Sequence, residues 1–166
     1  MDESKDAFRE LERFLEGLRG KNTVIVGLGN TLRGDDAAGI LVAKLLTRKG
    51  LKKKVIVAGP HPELYIKRIS ELKPDIVIFI DAIDAGLAPG AITLSELPRG
   101  EFRRAPVTTH ALPLSLIVEM LGVKSYILGI QVENTEFNAK ITREVRKSCQ
   151  RLAELIAEKL NASCDC

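Results

Sequence analysis

Three polar signals fall at comparable places among the apolar segments of this chain. Asp35-Asp36 follow the first apolar run, Asp81 and Asp84 follow the third, and His110 opens a helical stretch ahead of the last. Carboxylates from two loops and an imidazole from a third make an oxygen and nitrogen ligand set suited to zinc, nickel, iron or manganese, with room left for water or substrate. That set supports either a metal-assisted hydrolase or a metal-binding recognition module. Each member has a structural reading as well. Asp35 or Asp36 serves equally as a helix N-cap, Asp81 as a strand-end turn residue, and His110 as a cap or packing residue. His61, the only other histidine, is followed by Pro62 and reads as a loop residue.

Other chemistries find no support. The sequence has no G-x-S-x-G elbow, no G-x-x-x-x-G-K-[ST] phosphate loop and no H-E-x-x-H. Gly27-Leu28-Gly29 is followed by Leu32 where a dinucleotide fingerprint wants its third glycine, and two acids beyond it would repel a pyrophosphate. Cys149 falls on the apolar face of a predicted helix, which does not suit a nucleophile. Cys164 and Cys166, in the tail NASCDC, read either as a soft-metal pair or as a frayed terminus.

The elements that must position the polar residues follow from periodicity. Val24-Ile25-Val26 has the β-branched density of a buried strand and ends in Gly27-Leu28-Gly29-Asn30, a tight turn. Ala37 to Leu46 is then helical, so the two aspartates stand at its start. Val55 to Ala58 is a second buried strand, and Pro62 opens a helix running to Pro74. The third strand, Asp75 to Ile80, is a continuous apolar run of the kind that parallel strands covered on both faces require. A short strand at Ala91 to Leu94, an arginine-bearing loop at Leu97 to Pro106, a helix at Leu112 to Leu121 and a strand at Tyr126 to Val132 follow. Thr142 caps a final helix that turns Val145, Cys149, Leu152, Ile156 and Leu160 inward. Ahead of all this, Phe8, Leu11, Phe14, Leu15 and Leu18 form one face of an amphipathic helix stopping at Gly20.

Five strands alternating with about five helices predict an α/β fold whose mostly parallel sheet has helices on both faces, joined by right-handed crossovers. The loops bearing Asp35-Asp36, Asp81-Asp84 and His110 then share one sheet edge, where ligands bind in such folds. With 166 residues and 45% apolar composition the chain suits one domain. It divides into a helical extension over 1–22, a domain over 23–160 and a tail over 161–166. A net charge of +3, from 25 basic and 22 acidic residues, is not the excess expected of a nucleic-acid binder. Apolar runs of five or six residues fall short of the roughly 18 that span a bilayer. With a charged N-terminal stretch and three cysteines, an odd number, they place the expectation in the cytoplasm, with no membrane partner.

Four ordered motifs, VGLGNTLRGDDAAG, IDAIDAGLAPG, TTHALPL and LGIQ, resemble those of the nickel-iron hydrogenase maturation endopeptidases, over roughly Thr23 to Leu160. TTHALPL with LGIQ is similar to members serving hydrogenases linked to formate hydrogenlyase. The resemblance implies a three-layer α/β/α fold of the phosphorylase/hydrolase-like type. It implies removal of a short C-terminal peptide from the hydrogenase large subunit precursor once nickel has been inserted. It further implies that Asp36, Asp81 and His110 engage that nickel, supplied within the substrate's own site, and are the catalytic and metal residues. Two positions depart from the pattern: Ala37 stands where many relatives have glycine, and residues 1–22 extend beyond the usual start. Peptidyl-tRNA hydrolases also begin with a strand ending in G-L-G-N, but continue G-N-P-G, whereas Thr31 and Leu32 follow here. A non-enzymatic, nickel-dependent chaperone for the precursor is the alternative function.

Overall fold

In the computed structural model, which describes residues 3–99 and 114–161, the apolar runs become one five-stranded sheet. Its strands are β1 (Thr23–Leu28), β2 (Val55–Gly59), β3 (Ile76–Ile83), β4 (Ile92–Leu97) and β5 (Lys124–Gln131). They lie in the order β2-β1-β3-β5-β4, with β4 antiparallel at one edge and the other four parallel. Among the described residues the α-helices are α1 (Glu3–Glu16), α2 (Ala38–Leu46), α3 (Ile66–Glu71), α4 (Leu114–Leu121) and α5 (Arg143–Asn161).

Alternation along the central strands divides the core in two. Ile25, Ile78, Ile80, Leu128 and Ile130 pack with α1, α2 and α5 on one face. Val24, Val26, Val77, Phe79 and Ile127 pack with α3 and α4 on the other. Period-two side-chain alternation means that neighbouring apolar residues serve opposite layers, so a strand as uniformly apolar as β3 must be covered twice. The three-layer α/β/α expectation holds. On β5, Lys124 and Tyr126 are the only residues not fully buried.

Helix α1 joins this core. Leu11, Leu15 and Leu18 are buried in the same cluster as α2 and α5, and Phe14 meets Tyr126 edge-on with ring centroids 4.7 Å apart. The chain then turns at Gly20, whose φ of 77° suits a glycine.

Two expectations need correcting. The third strand does not stop at Ile80: it continues through Asp81, Ala82 and Ile83, which pair with Gly129, Ile130 and Gln131. An aspartate has low strand propensity, but the ladder to β5 outlasts the pairing to β1, which ends at Gly27 with Ile80. The edge strand β4 likewise runs on to Leu97, three residues beyond the expected Leu94, because its antiparallel ladder continues to Ser125. Arg103, Arg104 and most of the expected arginine loop lie outside the described residues, as do Cys164 and Cys166. No helix among the described residues is long and apolar enough to cross a membrane.

Candidate active site at the C-terminal ends of the parallel strands

Because β1, β2, β3 and β5 are parallel, their C-terminal ends open on one edge, and the loops after them meet there. The loop after β1 is closed by its own backbone. Asn30 N donates to the Asp36 carbonyl at 3.1 Å, Arg33 N to the Asn30 carbonyl at 3.2 Å, and Asp36 N to the Arg33 carbonyl at 3.0 Å. The Asn30 side-chain oxygen accepts from Leu32 N at 2.9 Å. Gly29 makes this closure possible: its φ is 131°, and a Cβ there would overlap the Asp36 carbonyl oxygen. The neighbouring residue Ala37, which departs from the sequence pattern, sits at φ −80° and ψ −1°, where alanine is unstrained.

The paired aspartates have separate surroundings. Asp35 is fully buried and its carboxylate accepts from Glu133 N at 2.9 Å, Asn134 N at 3.0 Å and Thr142 N at 2.7 Å. The Thr142 hydroxyl lies 3.1 and 3.0 Å from its two oxygens. Asp35 is therefore a clamp on the segment between β5 and α5, and the sequence reading of it as a helix cap is corrected. A single 3-10 turn over Gly34–Ala37 precedes α2, Ala37 holds the N-cap position of α2, and no side chain caps either element. Asp36 is half-buried and faces a cleft of about 490 Å³.

That cleft is lined by all four parallel-strand loops: Gly29, Asn30, Arg33 and Asp36 after β1, Pro60 after β2, Ala82, Ile83 and Asp84 at the end of β3, and Val132 and Thr135 after β5. Asp81 lies three residues before Asp84, inside the strand, is 2% exposed, and accepts from Ala82 N through Oδ1 at 2.9 Å. His110 lies outside the described residues. Among the described residues no three His, Cys, Asp or Glu side chains form a group that could hold a metal ion. What the structure brings together is a partly exposed carboxylate at Asp36, an exposed one at Asp84 and the Arg33 and Thr135 side chains, in one concave site. A peptide segment laid there would meet acceptors for its N–H groups and a cation for a carbonyl or carboxylate.

Helix α2 seats the site against the sheet through Gly39, where a Cβ would overlap the carbonyl oxygens of Ile80 and Leu28. This close approach ties the start of α2 to the ends of β1 and β3, and so fixes Asp36 relative to Asp81 and Asp84.

Sequence reasoning overlooked Gln131, the last residue of LGIQ. It is 3% exposed and ties Asp84 to the turn after it: Oε1 accepts from Ala85 N at 2.8 Å and Nε2 donates to Asp84 Oδ1 at 3.1 Å. Its position one residue before the final loop was the available signal. His61 is an exposed loop residue, as expected, with Nδ1 3.1 Å from Glu63 Oε1. Cys149 is fully buried, and burial with the nearby Asp35 charge pushes its thiol up to about 12, so it stays protonated and unreactive.

A doubly covered, mostly parallel sheet with an acid-lined cleft beyond its strand ends defines an α/β protein whose candidate site lies where such folds bind their ligands. The hydrogenase maturation protease profile matches residues 40–159. The Hydrogenase 3 maturation protease of Escherichia coli K12 is 30% identical over 131 residues, 76% of this chain and 83% of that protein. The crystal structure of a NiFe hydrogenase maturation protease HycI from Thermococcus kodakarensis KOD1 superposes with a TM-score of 0.76 at 37% identity, covering 89% of this chain and 99% of that one. The solution structure of the endopeptidase HycI from Escherichia coli gives a TM-score of 0.68 at 29% identity, over 82% and 89% of the two chains. The chain belongs to the hydrogenase maturation protease family and is an endopeptidase.

Proposed function

We propose that this enzyme removes a short C-terminal peptide from the large subunit precursor of a nickel-iron hydrogenase, after nickel has entered that precursor. The observation that carries the reading is Asp36: a half-buried carboxylate on a cleft wall, on a loop held by backbone hydrogen bonds within itself and to the segment after β5. Such a group offers an oxygen donor to a metal that arrives with the substrate. Asp81 and His110 complete the proposed set that engages nickel, and the metal belongs to the substrate. Cleavage then waits for nickel because the precursor's metal site is what the enzyme recognises.

The mouth of the cleft suits a protein substrate. Leu32 at 56%, Leu87 at 45% and Phe137 at 69% are exposed large apolar side chains on the segments after β1, β3 and β5, and Leu64 at 76% lies in the 3-10 turn Pro62–Tyr65 after β2. An exposed apolar side chain after each of the four parallel strands gives a protein substrate apolar surface to meet. The reaction is assigned to the cytoplasm, in keeping with a buried free thiol at Cys149.

Incubating the enzyme with nickel-loaded and nickel-free precursor, and weighing the products by mass spectrometry, tests the reading. The loaded precursor should lose the mass of a C-terminal peptide, and the nickel-free form should stay intact. Efficient cleavage of the nickel-free form would remove the nickel requirement. Tight binding of the loaded form without any mass loss would make the protein a chaperone.

A further inference from the structure

Gln131 spends its whole carboxamide on the edge of the cleft. Its Oε1 accepts from Ala85 N at 2.8 Å and Leu87 N at 3.3 Å, while Nε2 donates to Asp84 Oδ1 at 3.1 Å and to the Val132 carbonyl at 3.0 Å. Two acceptor contacts and two donor contacts are the ordinary capacity of a glutamine side chain. With its side chain buried at the end of β5, opposite Ile83, it has little freedom to move. Holding the turn after β3 needs only the acceptor half, because Ala85 and Leu87 present N–H groups. The donor half goes instead to a carboxylate that lines the cleft together with Asp36.

A carboxylate that accepts a proton from water during hydrolysis has three requirements: a fixed orientation, a lone pair not already engaged, and access to solvent at the reacting end. Asp84 meets them among the described residues. Oδ1 is held by Gln131, Oδ2 accepts no hydrogen bond from any described residue, and the residue is exposed on the cleft wall. Asp35, by contrast, has both oxygens filled by Glu133, Asn134 and Thr142 and is fully buried.

We propose that Asp84 is the proton acceptor for the attacking water and that Gln131 is its positioning residue. The proposal rests on the endopeptidase reading above and deepens it. The water oxygen bonds to the scissile carbonyl carbon as one of its protons passes to Asp84 Oδ2. When the tetrahedral species collapses, the carbon–nitrogen bond breaks and Asp84 returns that proton to the leaving nitrogen. The carboxylate is restored, nothing is oxidised or reduced, and the products are an acid and an amine. Gln131 holds Asp84 through both transfers, and the Ala85 and Leu87 contacts keep the turn from carrying it away.

Steady-state processing of nickel-loaded precursor by the full chain tests this with Asp84→Asn, Gln131→Met and the double variant. Asp84→Asn preserves size and can still accept from Gln131, so it should fold normally while lowering kcat by about 100-fold or more, with KM nearly unchanged. Gln131→Met should lower kcat by about tenfold alone, yet by less than about twofold when Asp84 is already Asn, since a positioning residue has nothing left to position. If Gln131→Met fails to fold, Gln131→Glu keeps the acceptor half for Ala85 and Leu87, and the same non-additivity is expected of it. Full-rate cleavage by Asp84→Asn overturns the proposal, and losses that multiply in the double variant overturn the role of Gln131. Wild-type enzyme that leaves the loaded precursor intact overturns the endopeptidase reading and this proposal with it, whereas wild-type cleavage beside an unimpaired Asp84→Asn overturns this proposal alone.

Discussion

Asp35 and Thr142, 107 residues apart, are joined by a 2.7 Å hydrogen bond from the Thr142 backbone N–H to a fully buried carboxylate oxygen. With the Glu133 and Asn134 amides on the other oxygen, this single side chain fixes both ends of the segment between β5 and α5 to the loop that carries Asp36. The main chain adds to it, since Asp35 N donates to the Asn134 carbonyl at 2.9 Å. The loop after β1 and the loop after β5 are therefore tied to each other, and both line the cleft.

Asp35→Ala should consequently cost more than a lost helix cap. It leaves three backbone N–H groups and a hydroxyl without their acceptor, and each buried unsatisfied donor costs about 1–3 kcal/mol. A destabilisation of about 3 kcal/mol or more is expected, read as a drop of roughly 6–12 °C in melting temperature. A drop of only a degree or two would mean that water replaces the carboxylate and that the clamp is dispensable.

Asp36→Asn should behave in the opposite way. The side chain keeps its shape in a partly exposed position, so the melting temperature should move little. On the proposed function, what is lost is a charge offered to the incoming metal, and removing one partner of a close charge contact typically costs about 2 kcal/mol or more, a factor of about 30 in affinity. Binding of nickel-loaded precursor and the processing rate should both fall. A folded Asp36→Asn that processes normally, beside a folded but inactive Asp35→Ala, would reverse the roles of the pair.

The contrast between these two neighbours shows what a sequence can and cannot carry. Alternating strands and helices were legible because β-branched runs such as Val24 to Val26 and Ile76 to Ile80 have one stable solution, a sheet covered on both faces. The strand edge that holds the site was legible for the same reason. The partner of Asp35 was not, since a local rule places a carboxylate at the nearest helix start, whereas its donors come from positions 98, 99 and 107 residues away. Asp81 looked like a strand end because its side chain breaks an apolar run. The backbone ladder to β5 continues past it opposite Gly129, where an added Cβ would press on Ile83 and Thr93. Gln131 carried no visible chemistry until its four contacts around Asp84 were seen.

Gly39→Ala tests whether the close seating of α2 positions the cleft. The added methyl would overlap two backbone carbonyls, those of Ile80 and Leu28, and neither can yield as a flexible side chain would. Overpacking of this kind costs about 1–3 kcal/mol and pushes the helix away from the sheet. Both stability and processing should fall, with processing falling further because Asp36 moves with the helix start. Gly50→Ala is the control: Gly50, unlike Gly39, has a positive φ, 97°, and an added Cβ there meets nothing within 4 Å, so strain there should lower stability without a matching loss of activity. Equal ratios of activity to stability in the two variants would argue against a positioning role for Gly39.

Helix α1 should be tied to the body of the protein by charge as well as by its apolar face. Lys159 of α5, only 11% exposed, lies 2.9 Å from Glu16 and 3.0 Å from Glu12 of α1. Hydrogen bonding to Glu16 and Glu12 raises the Lys159 ammonium to about 12, and the same bond from Lys159 holds the Glu16 carboxyl below its ordinary value. The lowered Glu16 contributes stability that is present above the ordinary 4.5 and lost as pH falls through its lower folded value. The raised Lys159 contributes stability that is full below the ordinary 10.5 and lost as pH rises through about 12. The melting-temperature gap between wild type and Lys159→Met should therefore be widest between those limits, close as pH falls below 4.5 and Glu16 becomes protonated, and narrow in high salt because the acids are partly exposed. Deleting residues 1–20 removes Leu11, Leu15 and Leu18 as well and should lower stability at every pH. A Lys159→Met gap that stays constant as the solution is taken from neutral pH to strong acid would assign the tie between α1 and α5 to the aliphatic stem of Lys159 and not to its ion pairs.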